Sequence, residues 1–157
     1  VKLPPKKPRR KFGDPLPANP LERDIREAIR GAVNRLPWAR LWDNQERQTM
    51  RGGRVQYEPG LCMGSADLVG IVRRLPEAGV CGCGVFVAIE CKKPRTRSKV
   101  TDAQAEWLGK VNSLGGVAGT AWTLGMALDI VALARGERLT DVIEELEAIV
   151  GRKVDLG

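Results

Sequence analysis

Two short stretches carry side chains able to do hydrolytic chemistry: GSADLVG at 64–70, with Asp67, and FVAIECKK at 86–93, with Glu90 and Lys92. The second stretch reads as a strand. Strand side chains alternate between faces, so Phe86, Ala88, Glu90 and Lys92 share one side, and Val87, Ile89 and Cys91 the other. Glu90 and Lys92 are thus neighbours, and burying both costs several kcal/mol per charge unless something compensates them. A satisfied ion pair at a strand end is one account. Asp67 suggests another, because aspartate is disfavoured in strands, although a turn beside Gly64 would also accommodate it. If strands 66–75 and 85–92 pair, Asp67 and Glu90 become adjacent carboxylates that repel and raise each other's pKa unless a cation lies between them. Few, hard oxygen ligands that leave room for water suit Mg²⁺. Lys92 would then sit beside the ion, placed to contact an attacking water or a phosphate oxygen.

Two further polar residues fall inside apolar helical faces. Leu21, Ile25, Ala28, Ile29, Ala32, Val33 and Leu36 recur at helical spacing until Pro37, with Glu22 inside that stripe. Asn19 followed by Pro20 predicts the helix start, and Asn19-x-x-Glu22 has the spacing of a capping box. Gln104 lies within the face of Ala103, Trp107, Val111 and Leu114, and Thr101-x-x-Gln104 is again a capping-box spacing. Each residue therefore has a local explanation as well as a functional one.

The elements that must position these groups follow in a definite order. A helix begins near residue 20 and a strand is expected at 54–58. Strands at 66–75 and 85–92 are joined through the glycine-rich 77–84, which reads as a hairpin connection. A helix at 101–116, a short buried strand at 117–122, and helices near 124–135 and 140–150 complete the series, the last started by Thr140 and ended by Gly151. The apolar segments MALDIVALA and VIEELEAIV could cover the sheet or form an interface.

Charge is unevenly distributed. Residues 1–13 hold six Lys or Arg and no acid, which accounts for most of the net charge of +7. With three prolines in the same stretch, residues 1–18 read as a basic arm, and 19–157 as a single domain. Lys6, Lys7, Arg9 and Arg10 of the arm are candidate phosphate contacts. Five cations fall within KKPRTRSK at 92–99, directly after the reactive strand, and Lys93, Arg95, Arg97 and Lys99 point to a phosphate-rich partner. Arg47, Arg51 and Arg54 are weaker candidates of the same kind. Trp107 fits a core face; Trp38 and Trp42 suit either core packing or stacking on bases.

Composition sets the frame. The chain has 157 residues, 43% of them hydrophobic, enough for one domain with a substantial core. Its apolar runs fall short of a membrane span, and the first residues lack the apolar centre of a signal peptide, so a soluble cytoplasmic protein is expected. The absence of histidine excludes histidine-metal and histidine-nucleophile chemistries. Four cysteines, Cys62, Cys81, Cys83 and Cys91, are expected to be reduced. The C-x-C spacing is tighter than structural zinc sites use, so no zinc is expected.

Taken together, LERDIREAI (21–29), GSADLVGI (64–71), FVAIECKKPRTRSKVTDAQAEWL (86–108) and GGVAGTAW (115–122) resemble the VRR-NUC family of the PD-(D/E)xK nuclease superfamily, whose small stand-alone members are often phage-encoded. Ala66 stands where proline usually precedes the aspartate. The resemblance implies an α/β, restriction-endonuclease-like core of order αβββαβ, a central mixed sheet flanked by helices, with the C-terminal helices as additions. It further implies that Asp67 and Glu90, with the Cys91 backbone carbonyl, bind Mg²⁺, for which Mn²⁺ would substitute. Glu22 would hold a metal-bound water or a second ion, Lys92 would orient the nucleophile, and Gln104 would steady a water or a phosphate. The implied protein is a homodimeric, structure-selective endonuclease of branched DNA such as Holliday junctions or flaps, working in the cytoplasm of the cell or phage host. A catalytically silent DNA-binding module of the same fold is the alternative.

Overall fold

The computed structural model describes residues 15–45, 47–51, 54–58, 60–76, 82–93 and 99–157, with 47–51 and 54–58 described by backbone alone. In chain order the elements are α1 (Glu22–Val33), β1 (Ala39–Asp43), β2 (Arg47–Arg51), β3 (Arg54–Glu58), β4 (Leu68–Arg73), β5 (Gly84–Cys91), α2 (Asp102–Ser113), β6 (Val117–Ala121), α3 (Leu124–Arg135) and α4 (Leu139–Val150).

The architecture is α/β. Four strands form a mixed sheet in the order β1-β4-β5-β6. β1 and β5 run antiparallel to β4, and β6 runs parallel to β5 across the α2 crossover. Two strands were not anticipated. β1 carries the alternation that marks a half-buried strand, Ala39 and Leu41 inward, Arg40 and Trp42 outward. β2 pairs with the expected strand at 54–58 in a separate two-stranded sheet, so that strand stands outside the central sheet. Its Gly52–Gly53 dipeptide between two strand-like runs was a legible hairpin signal.

Alternation gives the central sheet two unlike faces. Leu41, Leu68, Val72, Val87, Ile89, Cys91 and Ala121 point toward α1 and α3, where Ile25, Ile29, Val33, Leu128 and Val131 close the main core. α3 therefore covers the sheet, and α4 joins the same core through Val142 and Leu146. Among the described residues the other face carries a small cluster, Ala66, Ala88 and Leu108, flanked by Val69, Val100, Trp107 and Ala118.

Three local expectations are corrected. α1 starts at Glu22 with Leu21 as its N-cap, and the Asp24 carboxylate accepts the Leu21 N–H at 2.9 Å. Asn19 and Glu22 therefore make no capping box, because the chain enters the helix two residues later and the acid at the third helical position takes that role. α4 starts at Leu139 after Arg138, whose guanidinium pairs with Asp141; Thr140 is already helical. Cys83 is disulfide-bonded, against the expectation of reduced thiols, whereas Cys62 and Cys91 are free. The termination at Gly151 stands, with φ of 72°.

Trp38 is a core residue. Its indole donates to the Glu145 carboxylate at 3.0 Å, and the Arg135 guanidinium lies 4.6 Å over its ring. Arg135 also donates to the Arg73 carbonyl at 2.6 Å, tying α3 to β4. Leu16 packs against the main core. No helix among the described residues is long and apolar enough to cross a membrane.

Glycine is required where β1 and β4 cross closely, since a Cβ on Gly70 would stand 2.0 Å from the Arg40 carbonyl oxygen. Backbone cannot rotate away, so Gly70→Ala is expected to destabilise by about 1–3 kcal/mol. A Cβ at Gly109, mid-helix in α2, meets nothing within 4 Å. Gly109→Ala should instead stabilise by about 0.5–1 kcal/mol. Urea titrations of both variants test the contrast; equal midpoints would contradict it.

Candidate active site

The site forms at one edge of the central sheet, where β1 and β5 end, β4 begins and α2 starts. The β4–β5 register pairs Leu68 with Ile89, which sets Asp67 opposite Glu90. The Asn44 N–H donates to the Asp67 carbonyl at 2.8 Å and extends the β1–β4 ladder into the site. The Asp67 carboxylate is held on both oxygens: the Cys91 N–H donates to Oδ2 at 2.9 Å, and the Gln45 side chain donates to Oδ1 at 3.0 Å.

The loop before Asp67 is pinned by Asn44. Its amide donates to Ser65 Oγ and to the Ala66 carbonyl, both at 2.9 Å, and its Oδ1 accepts from the Leu61 N–H at 2.8 Å. Gly64 adopts φ of 79° with its Cα against the Ala103 carbonyl, where a Cβ would stand at 2.8 Å. The Gly-x-x-Asp spacing thus has a physical reason: only glycine fits the left-handed turn beneath the start of α2. Asn44, Gln45, Gly60, Cys62, Met63, Gly64, Ser65 and Asp67 line an open cleft of about 440 Å³.

Glu90 and Lys92 are buried at 2% and 7% exposure. Lys92 Nζ lies 2.7 Å from Glu90 Oε1. Gln104 bridges them, its amide nitrogen donating to Glu90 Oε1 and its oxygen accepting from Lys92 Nζ at 3.3 Å. The same oxygen accepts the Thr101 N–H at 2.9 Å, and Thr101 Oγ1 accepts the Gln104 N–H at 3.2 Å. The two readings of Gln104 are both satisfied: it completes a capping box and reaches the charged pair.

Electrostatics draws in Glu22. Burial pushes the Glu90 carboxyl above its ordinary value; the Lys92 hydrogen bond opposes this, and the charges of Asp67 and Glu22 add to it. For Lys92, burial pulls the ammonium down, but the Glu90 hydrogen bond and charge, then Glu22 and Asp67, outweigh it and leave the group above its ordinary value. Burial first, then Asp67, pushes the Cys91 thiol up, so it is neutral. Cys91 belongs to the core on the face opposite Glu90, and only its backbone faces the site.

The structure therefore brings together Asp67, Glu90, Lys92, Gln104 and, through its field, Glu22. Lys93 and Lys99 bracket the segment that follows. Lys6, Lys7, Arg9, Arg10, Arg95 and Arg97 lie outside the described residues, as do the side chains of Arg47, Arg51 and Arg54. Asn44, Gln45 and Arg26 were missed. Arg26 pairs with Asp43 at 3.4 Å, and its charge acts on Cys91. Their signal was weak: with β1 unplaced, nothing put residues 44 and 45 beside Asp67.

As for a cation, among the described residues no group of three or more His, Cys, Asp or Glu is arranged to hold a metal ion. Two carboxylates and a peptide carbonyl are instead a partial oxygen set, of the kind Mg²⁺ uses while keeping its waters. The charge balance fits: Asp67, Glu90 and Glu22 oppose one ammonium, and burial with the charges of Asp67 and Glu22 holds Glu90 above its ordinary range, which a divalent cation would relieve. No family model, curated protein or solved structure matches the chain.

Thr101→Ala removes the cap and should cost about 1 kcal/mol. Gln104→Leu removes the box and also strips the buried Glu90 of its neutral donor, so a larger loss of about 1–3 kcal/mol is expected. The double variant should fall short of the sum, because each change loosens the first turn on which the other's hydrogen bond depends. Chemical denaturation of the three proteins checks this; strict additivity would show that Gln104 and Thr101 act independently.

Proposed function

We propose that this chain is a divalent-metal-dependent, structure-selective DNA endonuclease with a restriction-endonuclease-like core, hydrolysing phosphodiester bonds in branched DNA such as Holliday junctions or flaps. The observation that carries this reading is the buried Glu90–Lys92 pair, 2.7 Å apart, set against Asp67 on the neighbouring strand. A buried pair is weak evidence for stability, since apolar residues of similar size commonly do as well. Its place opposite Asp67, which lines the cleft, and within the field of Glu22 favours a chemical role.

Asp67, Glu90 and the Cys91 carbonyl are the groups that would hold Mg²⁺ or Mn²⁺. When bound, the ion supplies a water of lowered pKa and neutralises a phosphate oxygen. The chain's own residues supply the rest. Lys92, kept protonated and fixed by Glu90 and Gln104, presents a positive charge where negative charge gathers on the phosphoryl oxygens. Gln104 locks the rotamers of both partners, so neither charge must reorganise during reaction. The Cys91 N–H and Gln45 aim the Asp67 carboxylate in the same way. Glu22 adds negative charge from α1 and would hold an ordered water. Lys93 and Lys99, beyond β5, supply cations for the phosphate backbone.

Asp67→Asn and Lys92→Met are expected to lower cleavage by about 100-fold or more while leaving the circular dichroism spectrum intact. The assay is a panel at fixed salt of four-way junction, flap, splayed arm, linear duplex and single strand, with Mg²⁺, Mn²⁺ or EDTA. Full activity of both variants would overturn the assignment. Binding without product under every metal condition would instead favour the silent binding module.

A further inference from the structure

The sheet face that carries Asp67 and Glu90 is covered unevenly. α2 lies over β5 and β6 through Leu108, Trp107 and Ala118, and among the described residues the half formed by β1 and β4 is left uncovered. Trp42 and Ile71 are each 50% exposed there and Phe86 is 38% exposed, its ring packed edge-on against Trp107 with centroids 6.5 Å apart. The register makes this one continuous patch: Trp42 faces Val69, and Ile71 lies between Arg40 and Phe86. Exposing an indole and an isoleucine side by side is unfavourable, and such patches mark interaction sites.

Two features identify the occupant. Arg40 and Arg73 share the face, both are exposed, and neither makes an ion pair among the described residues. The patch also runs directly into the site, since Asn44 and Asp67 form the row next to Trp42 and Val69. One strand across and two residues along places Trp42 roughly 8 Å from Asp67, about two stacked nucleotide steps. A second copy of the chain suits the surface poorly. An isologous contact would bring Arg40 and Arg73 of both copies into one interface, while the acids of that face are buried or held in the site and could not pair with them.

Resting on the nuclease reading above, we infer that this open half-face seats an unpaired nucleotide of the substrate, with Trp42 stacking a base and Arg40 and Arg73 contacting the flanking phosphates. Branched DNA exposes such nucleotides where its arms meet, and a stacking residue two steps from the carboxylates selects for them. An indole stacks on any base, so the preference is for an unpaired base rather than for sequence.

The test is binding of a labelled oligothymidylate to the full chain in EDTA, read by anisotropy over a salt series. Trp42→Ala should weaken binding about tenfold or more, with Trp42→Phe retaining most of the affinity. Arg40→Gln with Arg73→Gln should lower the salt slope by about 1.4, or about 0.7 per lost phosphate contact. An oligonucleotide carrying 5-iododeoxyuridine should photocrosslink to Trp42 in the unmutated protein, which needs no variant to fold. Unchanged affinity in Trp42→Ala, or crosslinks confined to other residues, would overturn the proposal. So would a Trp42→Ala protein that binds normally but sediments as a smaller species, which would assign the face to self-association. Because the assay excludes hydrolysis, the two readings fail separately. Trp42-dependent binding without cleavage of any substrate rejects the nuclease alone, and cleavage with Trp42-independent binding rejects the stacking seat alone.

Discussion

The constraint on which the site depends is the desolvation of Glu90 and Lys92. Two opposite charges taken out of water at the end of β5 are tolerated only if their remaining hydrogen-bonding capacity is met. Gln104 meets part of it for both partners at once, donating to Glu90 and accepting from Lys92, and it can do so because α2 begins beside them, with Thr101 fixing the first turn. The start of α2 is in turn seated on Gly64, whose left-handed backbone fits beneath Ala103. The loop holding Gly64 is fastened by Asn44, from the end of β1. Removing any link loosens the next, so ion pair, cap, turn and loop form a single unit.

That unit needs a rigid base, and the asymmetry of the sheet provides one. The face toward α1 and α3 is sealed by aliphatic side chains, so β4 and β5 cannot shift register without moving every side chain to the wrong face. Cys91 illustrates the coupling: its side chain lies in this core while its N–H holds Asp67. A small residue at that position keeps the backbone close to both layers. Among the described residues the opposite face carries little aliphatic packing beside the carboxylates.

Much of this was legible, for specific reasons. α1, β4, β5, α2, β6 and the last two helices each have strong periodicity or clear punctuation, and all appear close to the expected limits. The pairing of Glu90 with Lys92 followed from strand alternation alone. Other features depended on tertiary context. β1 is five residues long with two tryptophans nearby, and its alternation has meaning only once the sheet provides an inside. Missing β1 hid Asn44 and Gln45, whose roles come from pairing with a strand distant in sequence. The start of α1 was placed early because Asn19–Pro20 is a good start signal; Asp24 reaching back to Leu21 prevailed. The choice between core and stacking roles for the tryptophans was also a tertiary matter, and it resolved differently for Trp38, which is buried, and Trp42, which is not.

The arrangement of strands explains why chemistry gathers at this edge and not elsewhere. β5 and β6 run in parallel, so both end on the same side, and the Lys92 N–H donates to the Ala121 carbonyl at 3.0 Å where they finish. β4 is antiparallel to β5, so its first residues arrive at that same edge, and β1, antiparallel to β4, ends there too. In open α/β sheets the crevice beyond the carboxyl ends of parallel strands is where ligands bind, because neighbouring chain segments diverge there and leave space. Here three strand ends, one strand start and one helix start meet at that place, and all but the end of β6 contribute a polar residue that a mid-strand position could not accommodate. Asp67 precedes the first residue of β4, Glu90 and Lys92 straddle the last residue of β5, and Gln104 lies in the first turn of α2. Charged groups unfavourable within a strand are favoured at its ends, where the backbone still offers ladder hydrogens such as the Cys91 N–H and the ligand side remains open.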